Sequence, residues 1–342
     1  MASTEVPLGA QQDADSAVVA TQAPRWRAYL PVVATAVALA AIPLIIGDSR
    51  YYTDLATLAL VFAAYAVGFN IIFGNTNQLF LCLGAFAGVG AYGTGALGNE
   101  LGVPMPLGVL ISVCVVAGFG AAFSWVSVRR RLDVIFVGIV TLTFSLVFIN
   151  LLLGQRDVTG GETGMVLLYD PGPVGERGLV SYYIFLTVLI VFLTVYRWVQ
   201  RSHIGWAFRA LRDDEVAAEL SGIDVARYKM IAGAMGSAMV ALVGALYGHY
   251  EGFFSPTTFE LGQVDVPVLV MLAFGGIGSL LGPVVGATVF TIVDAVLRPL
   301  AQLRTAVYGV ILLVLFLGFR HGVVPSINDL ARWVARRRSP RS

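Results

Sequence analysis

Between residues 29 and 320 the sequence is a succession of apolar runs, each near the length that crosses a bilayer. A hydrocarbon core of about 30 Å takes about 20 apolar residues in a helix. The candidate spans are 29–47, 55–73, 78–98, 106–128, 133–154, 179–198, 228–250, 264–281, 283–297 and 305–320. The third, eighth and ninth are short or broken by glycine, so tilted, re-entrant or discontinuous helices are expected there. Only 13% of residues are charged, against about a quarter in soluble domains. The 38 glycines suit helices packed closely in lipid. The expected fold is all-α, a polytopic integral membrane protein with about ten transmembrane or partly re-entrant helices. One domain, residues 29–320, lies between a polar, disordered tail (1–28) and a basic tail (321–342). The first tail lacks the short basic start of a cleaved signal peptide, so the first span is expected to stay as an anchor.

Orientation follows Arg and Lys in the short connections. Arg25 and Arg27 precede the first span, and Arg129, Arg130 and Arg131 follow the fourth. Arg197, Arg201, Arg209, Arg212, Arg227 and Lys229 surround the connection from the sixth to the seventh. Arg320, Arg332, Arg336, Arg337, Arg338 and Arg341 follow the last. With ten spans all four clusters fall on one side, which places both termini in the cytoplasm. Arg298 and Arg304 are the exceptions.

Several chemistries are excluded or disfavoured. A net charge of +1 offers nothing to nucleic acid. Cys82 and Cys114 lie in apolar runs without metal-ligand or disulfide spacing. The single lysine, Lys229, is followed by Met230, whereas a nucleotide-binding P-loop needs Lys then Ser or Thr behind a glycine-rich turn. His203, His249 and His321 form no ligand set, and HExxH, CxxC and GxSxG do not occur. Asp294 is the one acid well inside a run, and its i,i+4 relation to Arg298 reads as a local ion pair before it reads as an ion-coupling group.

A charged block, RSHIGWAFRALRDDEVAAELSGID (201–224), interrupts the apolar runs yet keeps helical character. Two short helices are expected to meet near Asp213, with Asp213 as candidate N-cap of the second (214–221) and Gly222 as its stop. Asp214 and Glu215 suit the positive end of that helix. Ala217 and Ala218 are small enough for another protein to approach closely, and Arg209, Arg212 and Glu219 suit ion pairs at the rim. The alternative is a helix lying flat on the lipid headgroups.

Downstream, GGIGSLLGPVVGA (275–287) places Gly275, Gly276, Gly278, Gly282 and Pro283 in one run. Broken backbone at membrane depth is tolerated inside protein or facing a water-filled cavity. A hinge or pathway lining is one reading, and close helix packing the other. The loop 155–178 faces outward, rich in glycine with Gly160 and Gly161 adjacent, and is either a contact for an external partner or a surface connection. Asn70, Asn77, Gln78, Thr141, Thr143, Ser145 and Asn150 are polar groups in apolar runs, so each needs a partner. They either bond helix to helix or line a path. Thr141, Thr143 and Ser145 alternate and cannot share one helix face.

These motifs in this order resemble the membrane subunits of ABC importers for branched-chain amino acids, the LivM type more than the LivH type. The matching pieces are GAFAGVGAY (84–92), RRRLDVIFVGIVTLTF (129–144), TGGETGM (159–165), FRALRDDEVAAELSGI (208–223), GALYGHYEGFFSPTTF (244–259) and GGIGSLLGPVVGA. The family's docking loop, which seats in a groove of the ATPase, is matched by Ala217, Ala218, Glu219 and Gly222 within a loop spanning 199–227. The resemblance implies a multi-pass permease subunit in the cytoplasmic membrane of a prokaryote, working by alternating access and catalysing no chemistry itself. It implies two ATP-binding cassette subunits that carry the ATP and Mg, and no cofactor on this chain. It also implies a second permease subunit as heterodimer partner, an extracytoplasmic solute-binding protein touching Gly160 and Gly161, and surrounding lipid. The sequence departs from the family's Gln-x-Ser-Leu-Gly-His run, where Phe80, Cys82 and Leu83 replace Ser, Gly and His. The implied cargo is a branched-chain or other hydrophobic amino acid. Urea or a short amide is the alternative cargo, and an ion-coupled transporter or a passive channel the alternative class.

Overall fold

The computed structural model describes residues 29–297, apart from residues 48, 170, 171 and 177. The two tails, the expected span at 305–320, and Arg298, Arg304 and His321 lie outside the described residues. The first apolar run is divided into α1 (Leu30–Ala40) and α2 (Ile42–Ile46), with Pro43 in the first turn of α2, where its missing N–H costs nothing. Helix α3 (Arg50–Phe69) continues through a π-turn at Asn70–Gly74. Then come α4 (Leu83–Leu101), α5 (Met105–Arg129), α6 (Val134–Gly154) and α7 (Leu179–Arg201). The polar block forms α8 (His203–Asp213) and α9 (Glu215–Leu220). Helix α10 (Val225–Glu251) is the longest of these, and α11 (Asp265–Gly275) and α12 (Gly282–Leu297) complete the bundle.

Five described helices are long and apolar enough to cross a membrane: Arg50–Gly74, Met105–Arg129, Val134–Gly154, Leu179–Arg201 and Val225–Glu251. Leu30–Leu44, Asp265–Gly275 and Gly282–Leu297 are shorter apolar helices, and α4 has 19 residues but is rich in glycine. Breaks expected in the third and eighth runs are present: the run at 78–98 opens with non-helical chain at 77–82, and the run at 264–281 stays helical only to Gly275.

Helix α10 is the hub, because its small residues let three neighbours reach its backbone. A Cβ added at Gly233 would collide with Gly120 O and Ser124 Oγ of α5. One at Gly244 would collide with the Ala87 backbone of α4, and one at Gly236 with Gly68 O and Ile72 of α3. Close backbone approach and dispersion thus hold the centre of the bundle, with Ser237 Oγ also donating to Val116 O of α5 at 3.2 Å. Away from the hub an aromatic cluster, Phe80, Phe86, Phe119, Phe123 and Phe144, fills the space between α4, α5 and α6, with ring centroids 5.1–6.5 Å apart.

The end of α10 opposite the polar block is tied to the 155–178 loop. Strand β1 (Met165–Val166) pairs antiparallel with β2 (Phe253–Phe254). Asn99 acts like a further strand residue: its amide donates to Val166 O at 2.9 Å and its Oδ1 accepts from Leu168 N at 2.9 Å. His249 Nδ1 lies 2.7 Å from Ala245 O and its Nε2 lies 2.7 Å from Tyr169 Oη, so the ring is donor to the carbonyl and acceptor from the phenol. This loop is a folded strap.

Replacing Gly244 by Ala is expected to destabilise the protein by about 1–3 kcal/mol through overpacking, read as a lower unfolding temperature in detergent. Gly118→Ala, with open space around the new methyl, is expected to leave that temperature unchanged or raised.

Candidate functional site

The polar block sits at the N-terminal end of α10 as a helix–turn–helix. Helix α9 is capped at both ends by its own sequence. Asp214 Oδ1 accepts from Val216 N at 2.9 Å and from Ala217 N at 3.0 Å. Gly222 has φ +84°, and the returning bonds Ile223 N to Ala218 O (3.1 Å) and Gly222 N to Glu219 O (3.0 Å) complete a Schellman stop. The N-cap is therefore Asp214 and not Asp213, which is the last residue of α8. Extended backbone at Asp214 aims that carboxylate, and not its neighbour's, at the free N–H groups.

One side of the block faces inward. Leu211, Ala218 and Val225 form a small apolar cluster, and Glu215 Oε2 lies 2.6 Å from the buried Lys229 ammonium on α10. Arg212 reaches the glycine-broken segment: its guanidinium occupies the space a Cβ on Gly278 would need. Its carbonyl oxygen accepts from Asn77 Nδ2 at 3.1 Å. The other side is exposed and includes Arg209 stacked over Trp206 at 4.4 Å, together with Val216, Ala217, Glu219 and Leu220.

Beneath the block, α11 stops at Gly275 and α12 begins at Gly282. Gly276 (φ +117°) and Gly278 (φ +76°) take left-handed backbone in the gap. A Cβ on Gly275 would overlap the Gly282 carbonyl, one on Gly282 would collide with Ser279 Oγ and Gly276 O, and Pro283 is buried at the start of α12. The backbone exposed by the gap is paired by side chains from other helices. Asn70 Oδ1 accepts from Gly278 N at 2.7 Å, and Asn70 Nδ2 donates to Ser279 O at 2.9 Å. Tyr196 Oη donates to Gly278 O at 3.1 Å. Asn75, Gln200, Phe208, Arg209, Arg212 and Gly278 border a cavity of about 110 Å³ between block and gap.

A second gap, at 77–82, is closed in the same way. Thr141 Oγ1 accepts from Leu81 N at 2.9 Å. Asp265, 1% exposed, accepts from Leu83 N at 2.6 Å and Gly84 N at 3.1 Å, so a carboxylate from α11 caps the N-terminus of α4. Gln78 Nε2 donates to Thr76 Oγ1 at 2.8 Å and to Lys229 O at 3.2 Å.

The geometry thus joins a water-facing helical pair to interrupted membrane helices. The family described as branched-chain amino acid transport system / permease component matches residues 51–319. The chain belongs to that family. LivM of Escherichia coli K12, a high-affinity branched-chain amino acid transport system permease protein, is 25% identical over 306 residues, covering 81% of this chain and 71% of the relative. LivH of the same organism is 23% identical over 258 residues, 70% of this chain and 82% of the relative. The autoinducer 2 import system permease protein LsrC of Enterobacter sp. (strain 638) is 26% identical over 268 residues, 76% of each chain. No solved structure matches.

The permease places its other sequence-marked residues as follows. Thr143 and Asn150 stand on the exposed face of α6 and bond back to Ile139 O and Leu146 O, while Thr141 and Ser145 face inward. Gly160 and Gly161 have φ +74° and +57° and form a tight turn with Thr159 and Gly164. Phe80, Cys82 and Leu83 are fully buried, with Phe80 against Phe86 and Phe123. Among the described residues the buried acid is Asp265, whereas Asp294 is partly exposed. Asn75, Tyr196 and Gln200 carry no local pattern, and Asp265, an acid opening an apolar run, has a helix-start signal alone.

Asp265→Ala is expected to strand two buried N–H groups at about 1–3 kcal/mol each, lowering the unfolding temperature in detergent. Asp265→Asn keeps an acceptor oxygen, so it is expected to recover part of the loss. Equal stability of the alanine variant and the parent would remove the capping role.

Proposed function

We propose that this permease is the transmembrane subunit of an ATP-driven ABC importer for branched-chain or other hydrophobic amino acids, inserted multi-pass in a prokaryotic cytoplasmic membrane with both termini inside. It works with two ATP-binding cassette subunits, which hold the ATP and Mg, a second and different permease, and an extracytoplasmic solute-binding protein that meets the Gly160–Gly161 loop. LivM and LivH, both permease proteins of high-affinity branched-chain systems, support the cargo and the pairing. The autoinducer 2 permease LsrC keeps a non-amino-acid cargo as the second reading.

The observation that carries this reading is the two-sidedness of the 203–222 block. Its outer surface presents Trp206, Val216 and Leu220 at 69%, 65% and 85% exposure, an apolar patch that favours a protein partner over water. Its inner surface holds Arg212 against Gly278. A partner gripping the outer side therefore pulls directly on the backbone gap between α11 and α12. Alternating access follows if nucleotide-driven closure of the ATPases shifts the block and with it the two broken runs.

Two substitutions separate gripping from transmission. Leu220→Arg is expected to abolish copurification of the ATPase while leaving the unfolding temperature of the subunit unchanged. Arg212→Ala is expected to keep copurification and ATP hydrolysis but to lower ATP-dependent leucine uptake in proteoliposomes at least tenfold. Normal assembly and uptake in both would overturn the docking assignment.

A further inference from the structure

Lys229, the single lysine of the chain, stands one turn into α10 and is 6% exposed. A lysine near the end of a membrane helix ordinarily lays its stem along apolar surface and keeps its ammonium in water. Here the ammonium is buried against Glu215 of α9, with Nζ 2.6 Å from Oε2. The Glu215 side chain is 44% exposed, so the pair straddles the boundary between bundle and water. From the sequence Glu215 is a contact for an outside partner; the structure turns it inward.

Helix α9 depends on such a tie. Its six residues fall well short of the roughly 12–15 below which an isolated helix is marginal in water. The caps at Asp214 and Gly222 belong to the block itself, and so does Leu211, one of the two apolar neighbours of Ala218. The hub contributes Val225 and the Lys229 ammonium. Among the described residues, Glu215 to Lys229 is the polar bond that joins α9 to α10.

The same residue reaches further. Lys229 O accepts from Gln78 Nε2 at 3.2 Å, and Gln78, 1% exposed, stands at the 77–82 gap. The orientation of this amide is fixed by its second acceptor, Thr76 Oγ1 at 2.8 Å, whose own proton goes to Ile72 O. One residue of the hub thus holds the docking helix by its side chain and the gap before α4 by its carbonyl.

Resting on the reading of the block as the surface an ATPase grips, we propose that Lys229 is a positioning residue that carries a pull on α9 to the 77–82 gap through the line Glu215–Lys229–Gln78. This line is separate from the contacts of Arg212, which leave from α8. The two members of the ion pair are unequal. Removing the carboxylate strands a buried ammonium, which is costly, whereas removing the ammonium leaves a carboxylate that water already reaches. Removing both leaves no unpaired charge.

Stability is measured on the full chain in detergent, and function on the transporter assembled with its ATPases in proteoliposomes. Glu215→Gln is expected to lower the unfolding temperature more than Lys229→Met does, and the double variant to return at least to the Lys229→Met value. Coupling is expected not to return with it. Lys229→Met keeps ATPase copurification, because Val216 and Leu220 remain on the outer surface, but L-leucine taken up per ATP hydrolysed falls at least tenfold in this variant and in the double. Amide hydrogen exchange over 215–223 is expected to rise at least tenfold in both, with 233–248 unchanged. Gln78→Met cuts the line beyond Lys229, so uptake per ATP is expected to fall likewise while exchange over 215–223 stays at the parent rate. Full uptake per ATP in the double variant, or unchanged exchange over 215–223, would leave the pair a stabilising contact only and overturn the proposal. Full uptake in Gln78→Met would overturn the link to the gap. A parent complex that holds its ATPases yet imports no leucine with ATP would overturn the importer reading, and the exchange rates would still decide whether Lys229 positions α9.

Discussion

Asn70 holds both faces of one interrupted turn, accepting from Gly278 N and donating to Ser279 O, and much of the architecture depends on pairings of this kind. A helix that stops within a membrane-embedded bundle leaves N–H and C=O groups that lipid cannot satisfy. Two such stops occur here, at 77–82 and 276–281, and each is closed by side chains from distant parts of the chain. Asp265 caps α4 across a separation of 182 residues at Leu83, Thr141 reaches Leu81 from α6, and Tyr196 reaches Gly278 from α7. Remove these groups and the broken runs would have to become continuous helices or come apart.

The hub helix explains why the breaks can exist without loosening the whole. Backbone-to-backbone approach at Gly233, Gly236 and Gly244 fixes α10 against α5, α3 and α4 at contacts separate from the two gaps. Both gaps lie beside the 203–222 block: Asn77 Nδ2 donates to Arg212 O, and the Arg212 guanidinium packs at Gly278. At the other end of α11 the chain at 252–264 holds a two-residue strand and one 3-10 turn and borders a cavity of about 420 Å³.

What could be read from the sequence follows from how local each signal is. The two-helix block and its stop at Gly222 are written in adjacent residues, and so is the glycine-rich gap. The cap slipped by one place because Asp213 and Asp214 are equally able acceptors, and only the extended backbone at Asp214 selects between them. Glycine marks which runs are broken, but not where each helix stops. Apolar runs at 78–98 and 264–281 have the length of spans, but hydropathy does not register where backbone bonding passes from the helix to Thr141, Asp265 or Asn70. Asp265 itself could not be paired from sequence, since a contact to Leu83 and Gly84 leaves no periodic trace.

Polar residues in apolar runs look alike whether they line a path or staple a backbone, and here geometry divides them. Asn70 and Thr141 bond backbone at the two gaps, while Gln78 Nε2 donates to Lys229 O of α10 and its Oε1 is buried without a partner; none of the three borders the 420 Å³ cavity. The apolar replacements at Phe80, Cys82 and Leu83 fit the same logic. With Leu83 N already capped by Asp265 and Phe80 packed between Phe86 and Phe123, a polar side chain in this run would have to find a partner inside an aromatic cluster. The run therefore bears on how α4 is seated. Any influence on cargo has to travel through that seating, from the start of α4 to Asp265 and then along α11.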